Sequence, residues 1–263
     1  MHTAYFLYTV STTSHNSPGS GASERVGAVH VERSDDVLTI TLDGPRGNEI
    51  SPSMFETILK VLAEEALHPL AKVLVLRATG EAFCTGRERS AQTLAEMRAE
   101  AERLIALKRA FRNTPLITVA RVHGAAMGFG MGFAILADFA VVAQDAPLAF
   151  PEMRAGLPPA AIMAYLGEFA LPRDAFPLIL FGETFSAAHA KAIGLVNDVV
   201  PIAELDAAVN ALVGRILRID GASARACKEL FRTMLQGSFD ANCRLATDAL
   251  AVASATLLRR SAP

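Results

Sequence analysis

The sequence lacks the residues that many small or metal-binding proteins depend on. It contains no tryptophan and only three tyrosines among 263 residues, so its core must consist mostly of aliphatic side chains. Its three cysteines, Cys84, Cys227 and Cys243, are far apart and form no CxxC pair. This number and spacing argue against a disulfide scaffold and a thiolate zinc site, and favour a reducing, cytoplasmic location.

An excess of charge of one sign is also missing. Lysine and arginine number 25 and acidic residues 27, for a net charge of −2, so no nucleic-acid or anionic-membrane partner is expected. The longest uncharged stretch after the predicted leader, residues 122–137, contains a histidine and four glycines. It is shorter than the roughly 20 apolar residues of a membrane span. Residues 1–10 carry no lysine or arginine, so no signal peptide is predicted.

The composition does indicate a large folded core. Hydrophobic residues make up 51% of the chain, which excludes global disorder. Residues 11–25 are the exception, because they are rich in serine, threonine, glycine and proline. Such a segment buries too little apolar surface to offset the entropy of ordering it. We therefore predict a flexible leader over residues 1–26.

The pattern along the rest of the chain predicts an α/β fold. GAVHVER and VLTITLD alternate apolar and polar residues, as half-buried antiparallel strands do. KVLVLR and PLITVARV are continuous apolar runs, which predict buried strands, and helices are predicted near 53–66 and 91–112. From Pro158 onwards the chain is mostly helical. The interpretation is a core over residues 27–200, followed by a C-terminal helical region over residues 201–263.

A glycine-rich segment, Gly124 to Gly132, is the first candidate site. It follows a buried strand and opens a helix, so it offers free backbone N–H groups to a phosphate or to a carbonyl oxygen that gains negative charge. A dinucleotide site fits poorly, because Phe133 stands where the third glycine of GxGxxG belongs. The other interpretation is that the small residues only let the helix pack tightly.

Two further motifs could contribute to chemistry. FCTGRE, residues 83–88, is a turn that could direct one N–H group into a pocket. In FPEMRAG, Glu152 follows a proline in apolar surroundings, where desolvation would raise its pKa and make it a general base. An exposed glutamate at a helix start is the alternative. The six histidines are scattered without metal-ligand spacing, so no metal site is predicted.

Together these motifs resemble the crotonase (enoyl-CoA hydratase/isomerase) superfamily. The resemblance covers roughly residues 27 to 235. Its most specific parts are FCTG, the HGAAMGFG block followed by an AD pair, and AIGLVNDVVP, in that order along the chain.

The resemblance implies a crotonase-like spiral of ββα units with a helical C-terminal region for oligomerisation or as an active-site cover. It also implies assembly as trimers or as hexamers made of two trimers, a role in fatty acid metabolism, and an acyl-CoA thioester substrate without a separate cofactor. The family's oxyanion hole maps onto the N–H groups of Arg87 and Phe129. Both residues depart from the family's usual alanine and glycine, which a main-chain donor tolerates.

The family's acid/base pair is only half present. One of its two glutamates maps onto Gly132, and the other is retained as Glu152. Loss of a general acid/base group typically removes ~10²–10⁴ in rate, so a missing carboxylate disfavours hydration. Moving a double bond needs only one base, so we expect enoyl-CoA isomerisation with Glu152 as that base. Hydration is the alternative, and a non-catalytic acyl-CoA-binding protein is the third.

The same mapping predicts an apolar acyl pocket. Its predicted lining combines flexible thioether and small residues around Phe129, namely Met127, Met131, Gly132 and Met153. The alternative is that several of these are core residues. The side chain of Arg87 could contact a CoA phosphate or a substrate carboxylate, or it could be solvated.

Overall fold

Two sheets and a succession of helices form the protein. The computed structural model describes residues 22–26 and 28–260. The larger sheet has the strand order β1-β2-β3-β4-β6-β8-β10 and the smaller one β5-β7-β9. The strands are β1 (Ala22–Val26), β2 (Val29–Ser34), β3 (Val37–Leu42), β4 (Val73–Ala78), β5 (Ala82–Cys84), β6 (Ile117–Val122), β7 (Ala125–Met127), β8 (Phe139–Ala143), β9 (Leu148–Ala149) and β10 (Asp198–Val200).

The helices lie between the strands in the first half and dominate the second half. They are α1 (Pro45–Asn48), α2 (Pro52–Leu67), α3 (Leu94–Asn113), α4 (Phe129–Leu136), α5 (Ala160–Leu166), α6 (Pro172–Phe181), α7 (Ala187–Ala192), α8 (Leu205–Leu217), α9 (Gly221–Met234) and α10 (Phe239–Arg260). Two 3₁₀ turns, Pro151–Ala155 and Ile202–Glu204, complete the set. The helices predicted near 53–66 and 91–112 are α2 and α3.

The chain forms a spiral of ββα units, as the family resemblance implies. β4, β5 and α3 make one turn, and β6, β7 and α4 make the next, so each turn adds one strand to each sheet. β2 and β3 pair antiparallel, whereas β3, β4, β6 and β8 pair parallel. Parallel strands are covered on both faces, which explains why KVLVLR and PLITVARV are apolar without alternation.

The predicted leader overlaps the first strand. Residues 22–26 form β1 and pair antiparallel with β2, so pairing begins before the predicted boundary at residue 26. The backbone hydrogen bonds of an edge strand require little apolar content, which is why composition did not reveal it. Residues 1–21 of the predicted leader lie outside the described residues.

A partly buried cluster of charges joins α9 to the spiral. Asp138, of the AD pair that follows the glycine-rich segment, accepts a 2.8 Å hydrogen bond from the Thr118 N–H group. It also pairs with Lys228 and Arg232 of α9, at 2.6 and 2.7 Å. Burial lowers the pKa of Lys228 to about 8. Asp138 is therefore an anchor between β6 and α9 and does not face the candidate site described below.

Candidate active site

A cavity of about 1290 Å³ opens between the loop after β5, the start of α4, the 3₁₀ turn at Pro151–Ala155 and one face of α3. Arg87, Phe129 and Glu152 line it together, although they are far apart in the sequence. The spiral explains this convergence, because the chain segments that follow β5, β7 and β9 leave the small sheet side by side. The three residues that were predicted to form the reactive site therefore line the same cavity.

The Phe129 N–H group is free because of how α4 begins. Gly128 precedes the helix with φ +48° and ψ −110°, a backbone conformation available to glycine but strained for other residues. Phe129 is then the first helical residue, whose N–H group has no acceptor within the helix. No hydrogen bond among the described residues uses it. This N–H group is available to a ligand in the cavity.

The Arg87 N–H group is free for a different reason. Residue 87 forms a single parallel bridge with Ile50, in which the Glu88 N–H group donates to the Ile50 carbonyl at 3.0 Å. The Ile50 N–H group donates to the carbonyl of Gly86 at 3.1 Å. In this pattern the N–H group of Arg87 points away from Ile50. It donates no hydrogen bond to any described residue.

A close approach of two backbones places these two N–H groups in one cavity. A Cβ atom added at Gly130 would lie 2.0 Å from the carbonyl oxygen of Cys84, so only glycine fits there. Asn48 supports the same loop, since its side-chain amide donates to the carbonyls of Thr79 and Ala82 at 2.9 and 2.8 Å. Two free N–H groups of residues that line one cavity can bind an oxygen that gains negative charge.

Glu152 lies against the start of α4, and its carboxylate forms no ion pair with a described residue. A Cβ atom added at Gly128 would lie 2.6 Å from Glu152 Oε1, which places the carboxylate against the start of α4. Its Oε2 atom is buried and has no hydrogen-bond partner among the described residues. Burial raises the pKa of Glu152, and the charges of Arg89 and Lys108 offset this only in part. Such a carboxylate suits a general base.

The other carboxylates of the cavity are all engaged in ion pairs. In the described part of the chain, Glu49, Glu88, Glu100 and Glu152 line it. Arg46 pairs with Glu49 at 2.8 Å and also with Glu88. Glu100 accepts hydrogen bonds from Ser90 and from the Arg87 side chain, which lower its pKa to about 2. Glu152 is the only one of the four without an ion pair.

The position of the missing glutamate is filled by other polar groups. A Cβ atom added at Gly132 would lie 2.4 Å from the Tyr165 hydroxyl and 2.8 Å from Lys108 Nζ. The Tyr165 hydroxyl is buried and has no partner among the described residues. Lys108 Nζ donates to the Phe129 carbonyl at 2.6 Å and lies 3.8 Å above the Phe129 ring.

The predicted acyl-pocket residues are placed differently from the expectation. Met127, Met131, Gly132 and Met153 are not among the residues that line the cavity, whereas Phe129 is. Met131 is fully buried, because the third helical position of α4 points into the core. The described lining is supplied instead by Met97, Leu104 and Ile105 of α3 and by Leu157, Ala161 and Ile162 around α5. A role for the four predicted residues in substrate binding stays a prediction.

The side chain of Arg87 points towards α3. Its guanidinium donates to Glu100 at 2.9 Å, so it is paired rather than solvated. Arg89, also in the lining, forms no ion pair with any described residue. Arg89 is thus better placed than Arg87 to meet an anionic group of a ligand.

Sequence reasoning missed Lys108 and Tyr165. Lys108 belongs to the buried stripe of α3, which is otherwise apolar and consists of Leu104, Leu107 and Phe111. A lysine at a core-facing position of a helical repeat was the available signal, because buried lysines are rare unless they have partners. Tyr165, one of three tyrosines, gave no comparable signal.

The described residues contain no group of side chains that could hold a metal ion. They also contain no helix with the length and apolar character that crossing a bilayer requires.

Comparison with known proteins agrees with this geometry. The sequence model of the enoyl-CoA hydratase/isomerase family matches residues 32–254. A hydroxycinnamoyl-CoA hydratase-lyase of Pseudomonas fluorescens is 28% identical over 224 residues, covering 81% of each chain. An enoyl-CoA isomerase/hydratase of Mycosarcoma maydis is 31% identical over 183 residues, 63% of this chain and 65% of its own.

The solved structures agree as well. The crystal structure of an enoyl-CoA hydratase of Mycobacterium smegmatis superimposes with a TM-score of 0.83 at 27% identity, over 86% of this chain and 91% of the other. The family match spans most of the sequence, and the spiral, the two free N–H groups and Glu152 lie within it. This chain is therefore an enzyme of the enoyl-CoA hydratase/isomerase family, within the crotonase superfamily.

Proposed function

We propose that this enzyme moves the double bond of an enoyl-CoA thioester, with Glu152 as its single glutamate base. One observation carries the proposal: Glu152 is the only carboxylate in the described cavity lining without an ion pair, and no second carboxylate stands at Gly132. Hydration must activate a water molecule and also protonate carbon. Isomerisation needs only the removal of a proton and its return at another carbon.

The geometry suggests how the residues divide the work. The thioester oxygen accepts hydrogen bonds from the N–H groups of Phe129 and Arg87. Glu152 removes a proton from C2 of a 3-enoyl thioester, and the electron pair spreads onto that oxygen as a dienolate. The two donors stabilise this charge, a contribution worth about 10²–10³ in rate per donor. No cofactor takes part, because coenzyme A belongs to the substrate.

Hydration is the second candidate, because the names of the relatives include hydratases. It would require another group to position the water. The Tyr165 hydroxyl and Lys108 Nζ beside Gly132 are the polar atoms available there.

A paired assay distinguishes the candidates. Purified protein is offered 3-enoyl-CoA and 2-enoyl-CoA substrates of several chain lengths, and 2-enoyl absorbance is followed together with product mass. We expect 2-enoyl product from the 3-enoyl substrate and no gain of mass. A mass increase of one water would establish hydration instead. If neither substrate reacts, acyl-CoA binding measured by calorimetry would indicate the non-catalytic alternative.

We also propose that the enzyme assembles as a homotrimer or as a hexamer of two trimers. Large apolar side chains on or next to α6, α9 and α10 support this, since they are exposed in a single chain: Phe176, Phe181, Phe231, Leu235, Phe239, Leu250 and Val252. Light scattering coupled to size-exclusion chromatography should give a mass three or six times that of one chain. A monomeric mass at micromolar concentration would contradict the proposal.

A further inference from the structure

Lys108 occupies an unusual position for a lysine. Only 3% of the residue is exposed, yet it belongs to the cavity lining. Its Nζ atom lies 3.8 and 3.9 Å from the ring centres of Phe129 and Phe133 and donates a single hydrogen bond, to the Phe129 carbonyl. None of the described carboxylates forms an ion pair with it. An ammonium group has three donors, so two of its N–H bonds lack a protein acceptor here.

The absence of a side chain at Gly132 makes room for this amine. Lys108 Nζ lies within 2.8 Å of the point where a Cβ atom of residue 132 would stand. In that location the amine and Glu152 act on each other electrostatically, and both belong to the same cavity lining. The site therefore holds two titratable groups, a carboxylate and an amine, whose charges influence each other.

We propose that Lys108 is the second proton-transfer group of this active site, delivering to the substrate the proton that the isomerisation needs at C4. This inference rests on the proposed function. It assigns to the ε-amino group a position that would otherwise belong to a carboxylate at residue 132.

The proton balance closes over one turnover. The C2–H bond breaks and its proton passes to Glu152, while the electron pair enters the dienolate. A new C4–H bond forms with a proton from the Lys108 ammonium, whose N–H electrons remain on nitrogen as a lone pair. The Glu152 carboxylic acid then gives its proton back to the Lys108 amine through water, so both groups return to their starting states.

The electrostatics of the cavity favour such an exchange. Burial raises the pKa of Glu152 and lowers the pKa of Lys108 well below its usual value. The two shifts bring the proton affinities of the groups closer together. Proton transfer is most efficient when the pKa values of donor and acceptor lie near the operating pH.

Isomerisation in D₂O tests the inference directly. A 3-enoyl-CoA substrate with ordinary hydrogen at C2 is converted by the wild-type enzyme, and deuterium at C4 of the product is measured by NMR and mass spectrometry. The exchangeable protons of Lys108 are deuterons in this solvent, so we expect deuterium at C4. If Glu152 alone shuttled the proton without exchange with the solvent, the C2 hydrogen would reappear at C4, and the comparison with Lys108→Met below separates Lys108 from a Glu152 that does exchange. Complete retention of that hydrogen in the wild type would overturn the proposal.

Variants separate a proton-transfer role from a structural one. Lys108→Met keeps the length of the side chain and removes the amine. We expect its kcat to fall at least about tenfold, and the deuterium at C4 of its remaining product to drop markedly. Arg109→Met, an exposed neighbour on the same helix, is the matched control and should match the wild type. Equal deuterium content in Lys108→Met and wild type would exclude Lys108 as the donor. If the wild type formed no 2-enoyl product, the proposed isomerisation itself would have failed.

Discussion

Glu152→Gln is expected to lower kcat for isomerisation by about 10²–10⁴-fold, the range typical for removal of a general base. Glutamine has nearly the shape of glutamate and leaves the backbone at Gly128 undisturbed. It cannot accept a proton from C2 at neutral pH. The proposed oxyanion donors, the main-chain N–H groups of Arg87 and Phe129, are unchanged by this substitution. Thioester binding should therefore persist, and we expect the dissociation constant of a saturated acyl-CoA to change little.

The measurement is kcat and KM for isomerisation, together with a binding titration with the saturated acyl-CoA. Glu183→Gln, a substitution at an exposed glutamate outside the cavity, is the control and should behave as the wild type. An unchanged kcat in Glu152→Gln would remove Glu152 as the base and leave another group responsible for the chemistry.

The pH profile offers a second test of the same role. Glu152 must be ionised to act as a base, and burial raises its pKa above the ordinary value of a glutamate. We therefore expect kcat/KM of the wild-type enzyme to fall with decreasing pH at a higher pH than about 4.3, the value of an exposed glutamate. This acid limb should be absent from the residual activity of Glu152→Gln.

Much of the architecture could be predicted from the local pattern of apolar residues. Continuous apolar runs mark β4 and β6 because both faces of a parallel strand are covered. β1 escaped prediction because its stability comes from backbone pairing with β2 rather than from composition. Local patterns reveal what a segment buries, but they do not reveal which segment it pairs with.

The convergence of Arg87, Phe129 and Glu152 on one cavity was predictable only where backbone chemistry determines it. The N–H groups of Arg87 and Phe129 and the carboxylate of Glu152 are placed by turns whose glycines and proline are visible in the sequence. The acyl pocket was not predictable, since the direction of a helical side chain depends on packing. Met131 points into the core, and the lining comes from α3 and α5, which are distant in sequence. Lys108 and Tyr165 meet beside Gly132 for the same tertiary reason.

Gly130→Ala is expected to damage both the fold and the site. The added Cβ atom would lie 2.0 Å from the carbonyl oxygen of Cys84 and 2.7 Å from its carbonyl carbon, and a backbone atom cannot rotate away as a side chain can. The start of α4 must then move away from the loop after β5. We expect the free energy of unfolding to fall by about 3 kcal/mol, the upper end of the usual cost of overpacking.

Gly214→Ala provides the matched control, since Gly214 lies inside α8 and an added Cβ atom there meets nothing within 4 Å. Alanine has less conformational entropy than glycine in the unfolded chain. The free energy of unfolding of Gly214→Ala should therefore rise by roughly 0.4–1 kcal/mol. Urea denaturation followed by circular dichroism measures both changes. Wild-type stability in Gly130→Ala would show that the two backbones can separate without cost.

The same displacement should impair catalysis in whatever fraction of Gly130→Ala remains folded. The Phe129 N–H group belongs to α4, and the Arg87 N–H group belongs to the loop after β5. If the two segments separate, both N–H groups can no longer donate hydrogen bonds to the same thioester oxygen, as proposed above. Loss of one such donor costs about 10²–10³ in kcat. Assays at low temperature, with rates normalised to the folded fraction, should therefore show a reduced kcat in Gly130→Ala and an undiminished one in Gly214→Ala. A normal kcat per folded molecule would mean that the thioester oxygen does not depend on both N–H groups.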